Sequence, residues 1–335
     1  MNSIERVFNR LEGKQVDRVP NLNIIMQFAA RYIGVPYGKY CTDYRYLVEG
    51  NIKCCREFGI DMVSVISDPF RETSGFGVEI TINHDDVPSC KDYLIKEYGD
   101  IRKIKATNPL NSVRMLDRVK AIELYKESIG NEFPILGWVE GAFAEACDLR
   151  GINNIMTDIY DNPDFIIDLM EICLDQAIRF SKEQINAGAH FIGIGDAAGS
   201  LISPETYRNI VLPFEKRLCE EIHGMGAKAK LHICGNISHI LKYIPLTTAD
   251  IVDIDWMVNF REAVECLSGN TCACGNFDPV KILLNGSVSD VKNSVKDCLK
   301  VSDINTFISA GCEVPKYTSH ENLRAVYETL CDDDF

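Results

Sequence analysis

His232 and Cys234 stand two residues apart in Leu231-His232-Ile233-Cys234-Gly235. In an extended strand that spacing turns both side chains to one face, with Cα atoms about 6.5–7 Å apart. An imidazole and a thiolate so placed can converge on one cation. Zinc suits the pair, being borderline-soft, tetrahedral and tolerant of mixed nitrogen and sulfur ligands. Two ligands do not hold it, so a third must come from elsewhere, and a fourth position left open makes such a site catalytic. Cys312, in Ser309-Ala310-Gly311-Cys312, is the candidate third ligand, with Cys272 and Cys274 as competitors. Taken singly, a His-x-Cys pair is weak support for a metal, and Cys312 alone reads as a buried thiol.

Such ligands need strands that bring distant residues to one rim. Short apolar runs alternate with amphipathic helical stretches, the pattern of a parallel α/β fold. Eight runs qualify as strands buried on both faces: Val19–Ile25, Met62–Asp68, Pro134–Glu140, His190–Asp196, Ala229–Cys234, Asp250–Asp255, Thr271–Asn276 and Asn305–Cys312. Between them, Asn162–Ala187, Ser203–His223, Phe260–Leu267 and Ser319–Leu330 read as helices. Asn162-Pro163 and Ser203-Pro204-Glu205 carry N-cap signals. The expectation is a TIM (β/α)8 barrel, one domain over residues 1–335. About 65 residues separate the second and third runs, too many for one helix. A hairpin or small sheet inserted at about residues 70–110 is therefore expected.

In a parallel barrel the strand ends share one rim, and catalytic groups come from it. The ends here carry Asp68, Glu140, Asp196, the His232–Cys234 pair, Asp253 and Asp255, Asn276 and Cys312. Beyond the three metal-ligand candidates, Asp68, Glu140, Asp196, Asp255 and Asn276 are candidate catalytic residues. The competing reading is that the acids cap the helices that follow. One carboxylate is expected to orient His232 through its second ring nitrogen.

Composition narrows the partners. The 335 residues are 46% hydrophobic, enough for a full core, and carry a formal net charge of -14. That charge disfavours nucleic acid, which needs clustered lysine and arginine. No apolar run is long enough to span a membrane, and the charged start does not read as a secretory signal. The 14 cysteines lack a compact framework spacing and fit reduced thiols in a cytoplasmic protein.

Several segments together resemble the uroporphyrinogen decarboxylase superfamily along nearly the full length. They are Arg6-Val7-Phe8 through Asp17-Arg18-Val19-Pro20, Gly195-Asp196 to Ser203-Pro204-Glu205-Thr206-Tyr207, Gly275-Asn276-Phe277-Asp278-Pro279, and Glu321-Asn322-Leu323. Within it, Leu231-His232-Ile233-Cys234-Gly235-Asn236 with Ala310-Gly311-Cys312 is similar to the cobamide-dependent methyltransferase branch, whose methylcobamide:coenzyme M methyltransferases bind zinc through a His-x-Cys and a later Cys. The resemblance implies Zn2+ on His232, Cys234 and Cys312. It also implies methyl transfer between a methylcobalamin-type corrinoid and a small methyl donor or acceptor, such as a thiol or a methoxylated compound, in either direction. A corrinoid carrier motif is not present: Gly188-Ala189-His190-Phe191-Ile192-Gly193 has Gly where the Asp should stand. The corrinoid is thus expected on a separate corrinoid-binding protein, and a homodimer is compatible with this reading. Two alternatives stand beside it. Decarboxylases of the superfamily clamp a tetrapyrrole with arginines in the first-strand loop. Here Ile25-Met26-Gln27-Phe28-Ala29-Ala30-Arg31-Tyr32 keeps only Arg31, although Ile66-Ser67-Asp68-Pro69 resembles their central aspartate segment. A non-enzymatic zinc- or corrinoid-binding protein on the same fold is the other.

Overall fold

A computed structural model of the protein describes residues 1–269 and 271–332. The expected single unit over residues 1–335 therefore extends beyond them at 270 and 333–335. Among the described residues, the chain forms β1 (Val63–Ser64), β2 (Ile80–Thr81), β3 (Ser89–Cys90), β4 (Ile135–Glu140), β5 (Phe191–Gly195), β6 (Lys228–His232), β7 (Ile251–Ile254), β8 (Cys272–Phe277) and β9 (Phe307–Ala310). Seven of these make one sheet in the order β1-β4-β5-β6-β7-β8-β9, and every neighbouring pair is parallel. β2 and β3 form a separate antiparallel pair. Strands β4, β5, β7 and β9 are buried at every position, as a sheet covered on both faces requires.

The first expected strand, Val19–Ile25, is a departure. It is reduced to one parallel bridge between Asn21 and Ile308. Its backbone still reaches both neighbours: Leu22 N–H donates to Ile308 O at 2.9 Å, and Asp61 N–H to Asn21 O at 2.8 Å. The segment thus lies between β9 and the residues leading into β1, where an eighth stave belongs, and the arrangement is TIM-barrel-like. A regular ladder fails for a chemical reason. Pro20 has no N–H to give. Asn21 N–H goes to the Asp61 carboxylate at 2.8 Å, and Asn23 N–H goes to the Asn21 side chain at 3.2 Å. The second expected strand, Met62–Asp68, shortens to β1 for a similar reason, since Ile66 N–H turns to Ser64 Oγ at 3.0 Å.

The helix expected over Ser203–His223 is interrupted. Ser203 caps Pro204–Thr206, a wider π turn follows over Tyr207–Val211, and the α-helix resumes at Leu212–Gly224. Pro213 explains the break: its ring clashes with the carbonyl one turn back, and the π turn absorbs the misfit. Pro163–Ala187 is continuous, capped by Asn162, and packs against β4 and β5. No helix among the described residues is long and apolar enough to cross a membrane.

An ion network pins the irregular first stave. Asp61 is fully buried and accepts from Arg6 at 2.8 Å and from Arg18 at 2.6 Å, while Arg6 also holds Asp17. Removing one partner of such a network strands buried charge. Asp61→Ala is expected to destabilise the protein by about 3 kcal/mol or more, measured by urea unfolding. A change below 1 kcal/mol would show that the network does not hold the stave.

Candidate metal centre

β6 delivers His232 at its last residue, and the chain then turns away through Ile233 and Cys234 to Gly235. Gly235 has φ +91°, a conformation that favours glycine, and its N–H donates to Asp255 Oδ2 at 2.9 Å. Cys312 lies two residues beyond β9. Between them Gly311 presses on the loop after β7, where an added Cβ would meet Trp256 N at 2.3 Å. Only glycine lets the two rim loops close to this distance.

Three ligand atoms meet there. His232 Nε2 is 3.0 Å from Cys234 Sγ, Cys234 Sγ is 3.9 Å from Cys312 Sγ, and Cys312 Sγ is 4.0 Å from His232 Nε2. Among the described residues this is the one group of three or more such side chains close enough to share an ion. Around a tetrahedral zinc, with bond lengths of about 2.3 Å to sulfur and 2.0–2.1 Å to nitrogen, sulfurs stand about 3.8 Å apart and sulfur and nitrogen about 3.6 Å. The donor set and its spacing therefore fit zinc with small side-chain adjustments. The competing cysteines are elsewhere. Cys274 pairs with Ser309 Oγ at 3.3 Å, and Cys272, at the start of β8, lines a separate cavity with Phe8 and Asn305.

The second nitrogen of His232 is held as tightly as the first. Register pairs His232 with Asp253 across β6 and β7, and Asp253 Oδ2 lies 3.0 Å from His232 Nδ1. The same oxygen takes a hydrogen bond from the buried ammonium of Lys230. Burial alone would raise the Asp253 carboxyl, but the Lys230 charge and the bonds from His232 and Lys230 outweigh it and hold it down to about 2. Burial opposes charge on His232, yet Cys234 and the hydrogen bonds with Asp253, Cys234 and Cys312 raise it well above the ordinary range. The hydrogen bond from Cys234, helped by His232, pulls Cys312 down to about 4 against burial. The trio thus favours thiolate beside positive charge, which a divalent cation could take over.

A cavity of about 210 Å³ opens onto the three ligand atoms. Trp138, Ile24, Met26 and Ile66 supply apolar wall, and Asp68, Glu140 and Glu313 supply carboxylates. Glu140 and Ala197 also line a second cavity of about 410 Å³, together with Cys90, Tyr93 and Asp148. Burial and the neighbouring Glu72 and Asp148 push Glu140 well up, although Arg71 donates to it at 2.7 Å. Burial raises Asp68 too, but the charge and two hydrogen bonds of Arg114, at 2.7 and 2.6 Å, bring it down to about 2.

Of the five candidate catalytic residues, Asp68 and Glu140 line the cavity with the ligands, and Asp196, Asp255 and Asn276 do not. Asp196 accepts from Ala144 N at 2.8 Å, in the first turn of the helix Ala142–Arg150. That helix follows β4 rather than Asp196's own strand β5, and the second Asp196 carboxylate oxygen is buried with no hydrogen-bond partner among the described residues. Asp255 holds Gly235 N–H, and Asn276 donates to Val258 O at 2.8 Å. Neither Asp255 nor Asn276 lines the cavity. Arg31 does not reach it either, and lies over the Tyr317 ring at 4.7 Å. Asp253, Lys230, Trp138, Arg71, Arg114 and Glu313 were not singled out from sequence as site residues. A signal existed for the first two: Lys230, His232 and Cys234 alternate along one run, and Asp253 sits on the next.

A TIM-barrel-like chain with an imidazole–dithiol cluster at the carboxyl ends of its strands is an enzyme scaffold of a recognisable kind. The chain belongs to the uroporphyrinogen decarboxylase (URO-D) family, whose model matches residues 2–332. Among its relatives, the methylcobamide:CoM methyltransferase MtbA of Methanosarcina acetivorans is 29% identical over 97% of this chain and 96% of its own. A uroporphyrinogen decarboxylase of Trichodesmium erythraeum is 25% identical over 84% of this chain and 80% of its own. The solved structure of a methyltransferase from Methanosarcina mazei superposes with a TM-score of 0.90 at 21% identity, covering 98% of each chain, and so shares the fold.

Asp253→Asn keeps the shape of the side chain but removes the charge behind His232. It is expected to weaken zinc binding by about 10–100-fold, measured by competition with a chromophoric chelator. Unchanged affinity would remove Asp253 from the site.

Proposed function

We propose that the chain is a corrinoid-dependent methyltransferase, moving a methyl group between a methylated corrinoid on a separate protein and a small molecule beside a zinc ion on His232, Cys234 and Cys312. The observation that carries this reading is the convergence of those three ligand atoms, within 4.8 Å of one another, in a cavity at the strand ends. The similarity to MtbA over nearly the full chain supports the same class. Bound zinc would supply Lewis acidity, lowering the pKa of a thiol at its open position or polarising a leaving sulfur or oxygen.

The chain's own residues do the rest. Asp253 fixes the ring of His232 through Nδ1, leaving Nε2 for the metal, and Lys230 keeps Asp253 ionised. Asp255 and Gly235 set the turn that aims Cys234. Trp138, Ile24, Met26 and Ile66 exclude water from the reacting atoms. In the thiol direction the sulfur–carbon bond forms as the carbon–cobalt bond breaks. Its electron pair stays on the substrate cobalt, taking Co(III) to Co(I), and the thiol proton passes to solvent. The reverse direction takes a methyl group from a thioether or methyl ether to Co(I), with a proton delivered to the departing sulfur or oxygen.

This reading takes residues 1–335 as one closed (β/α)8 unit, with the 70–110 segment inserted beside the cavities, where Cys90 and Tyr93 already line the larger one. The free cysteines fit a reducing, cytoplasmic setting. Decarboxylation of a tetrapyrrole remains the second reading, on the strength of the 25% identical relative. It needs cations free to meet several carboxylates, whereas Arg71 and Arg114 are already paired with Glu140 and Asp68.

Cys234→Ala and Cys312→Ala test the proposal. Each is expected to lose bound zinc and to lower methyl transfer from methylcobalamin to a thiol by about 100-fold or more, with metal analysis and transfer assayed on the same preparations. Full zinc content in both variants would sink it.

A further inference from the structure

The cavity beside the three ligand atoms is lined by acidic side chains. Asp68, Glu140 and Glu313 line it, and among the described residues no lysine or arginine does. Every nearby cation is already engaged. Arg114 gives both terminal nitrogens to Asp68, at 2.7 and 2.6 Å. Arg71 gives one nitrogen to Glu140 at 2.7 Å and another to the Asp68 carbonyl. Lys230 is spent on Asp253, behind His232. Among the described residues no cation pairs with Glu313, whose carboxyl group accepts from Gln27 N–H at 2.9 Å. The rest of the wall is apolar, with Trp138 and Met26 its largest side chains.

An anion drawn into this space would lose its hydration, and among the described residues no lysine or arginine lines the cavity to meet it. An uncharged group would lose little and gain apolar contact with Trp138, Met26 and the isoleucines. We infer that the small molecule exchanging its methyl group here bears no anionic group near the reacting sulfur or oxygen: it is an uncharged thiol, thioether or methyl ether. This rests on the methyltransferase reading above. The inference parts this chain from coenzyme M, the acceptor in the name of its MtbA relative. Coenzyme M is 2-mercaptoethanesulfonate, in which two carbons separate thiol from sulfonate, so the sulfonate would have to sit inside the cavity.

The test is an equilibrium titration of the full chain, read by the fluorescence of Trp138 in a Trp256→Phe background, since the protein has 2 tryptophans. The probes are methyl propyl sulfide and 2-(methylthio)ethanesulfonate. The neutral thioether is expected to bind at least about tenfold more tightly than the sulfonate. Met26→Lys, which places a cation in the wall, and Glu313→Gln, which removes a carboxylate and keeps an acceptor for Gln27, are each expected to narrow that gap. Equal or tighter binding of the sulfonate, or no binding of the neutral thioether, would overturn the inference. A parallel assay compares methyl transfer from methylcobalamin to 1-propanethiol and to 2-mercaptoethanesulfonate. Faster transfer to the sulfonate also overturns it. No transfer to either thiol, with the binding preference intact, would instead sink the methyltransferase reading and leave the charge selectivity standing.

Discussion

Parallel pairing of β6 with β7 sets His232 opposite Asp253, and the cluster of His232, Cys234 and Cys312 depends on that register. A shift of one residue would turn Lys230 and His232 away from Asp253 and leave Lys230 and Asp253 as buried charges without partners. The pairing therefore has to satisfy two demands at once. It seats an ammonium–carboxylate pair that the interior tolerates only when matched, and it presents the ring nitrogen His232 Nε2 to the rim. Cys234 and Cys312 then arrive from loops whose approach is fixed by glycines, one by its left-handed φ and one by the space it leaves.

The same economy governs the carboxylates around the cavity. Burial pushes Glu140 up and would push Asp68 up, and two arginines from outside the lining decide how each is held. Asp68 is fixed in its ionised form by Arg114. Glu140 shares Arg71 with Glu72 and with the Asp68 carbonyl, so its negative charge is less well supported. The consequence is a cavity whose polar groups are mostly preoccupied with one another. Apolar wall and the His232, Cys234 and Cys312 ligand atoms are what it offers a small molecule.

Much of this was legible in the sequence. Apolar runs of strand length located all seven strands of the main sheet, because strands buried on both faces must be apolar throughout. The two-residue spacing of His232 and Cys234 pointed to a shared cation, and the last strand supplied Cys312. The first stave was harder to read. Its apolar residues suggested a regular strand, but Pro20, Asn21 and Asn23 replace ladder bonds with side-chain bonds, and propensity does not register that. The partners of the rim residues were also hidden from the sequence. Asp196, Asp255 and Asn276 occupy strand ends, and each also bonds to backbone groups of a neighbouring loop or helix turn. Arg71 and Arg114 could not be found from strand ends at all, because they reach the site from the helices Phe70–Phe76 and Val113–Ile129.

The most direct measurement is zinc X-ray absorption on the protein as purified. One nitrogen at about 2.0–2.1 Å and two sulfurs at about 2.3 Å are expected, with a fourth, exchangeable ligand. A shell of oxygen and nitrogen alone, or a sulfur count that survives replacement of both Cys234 and Cys312, would contradict a metal held by His232 and these two thiolates.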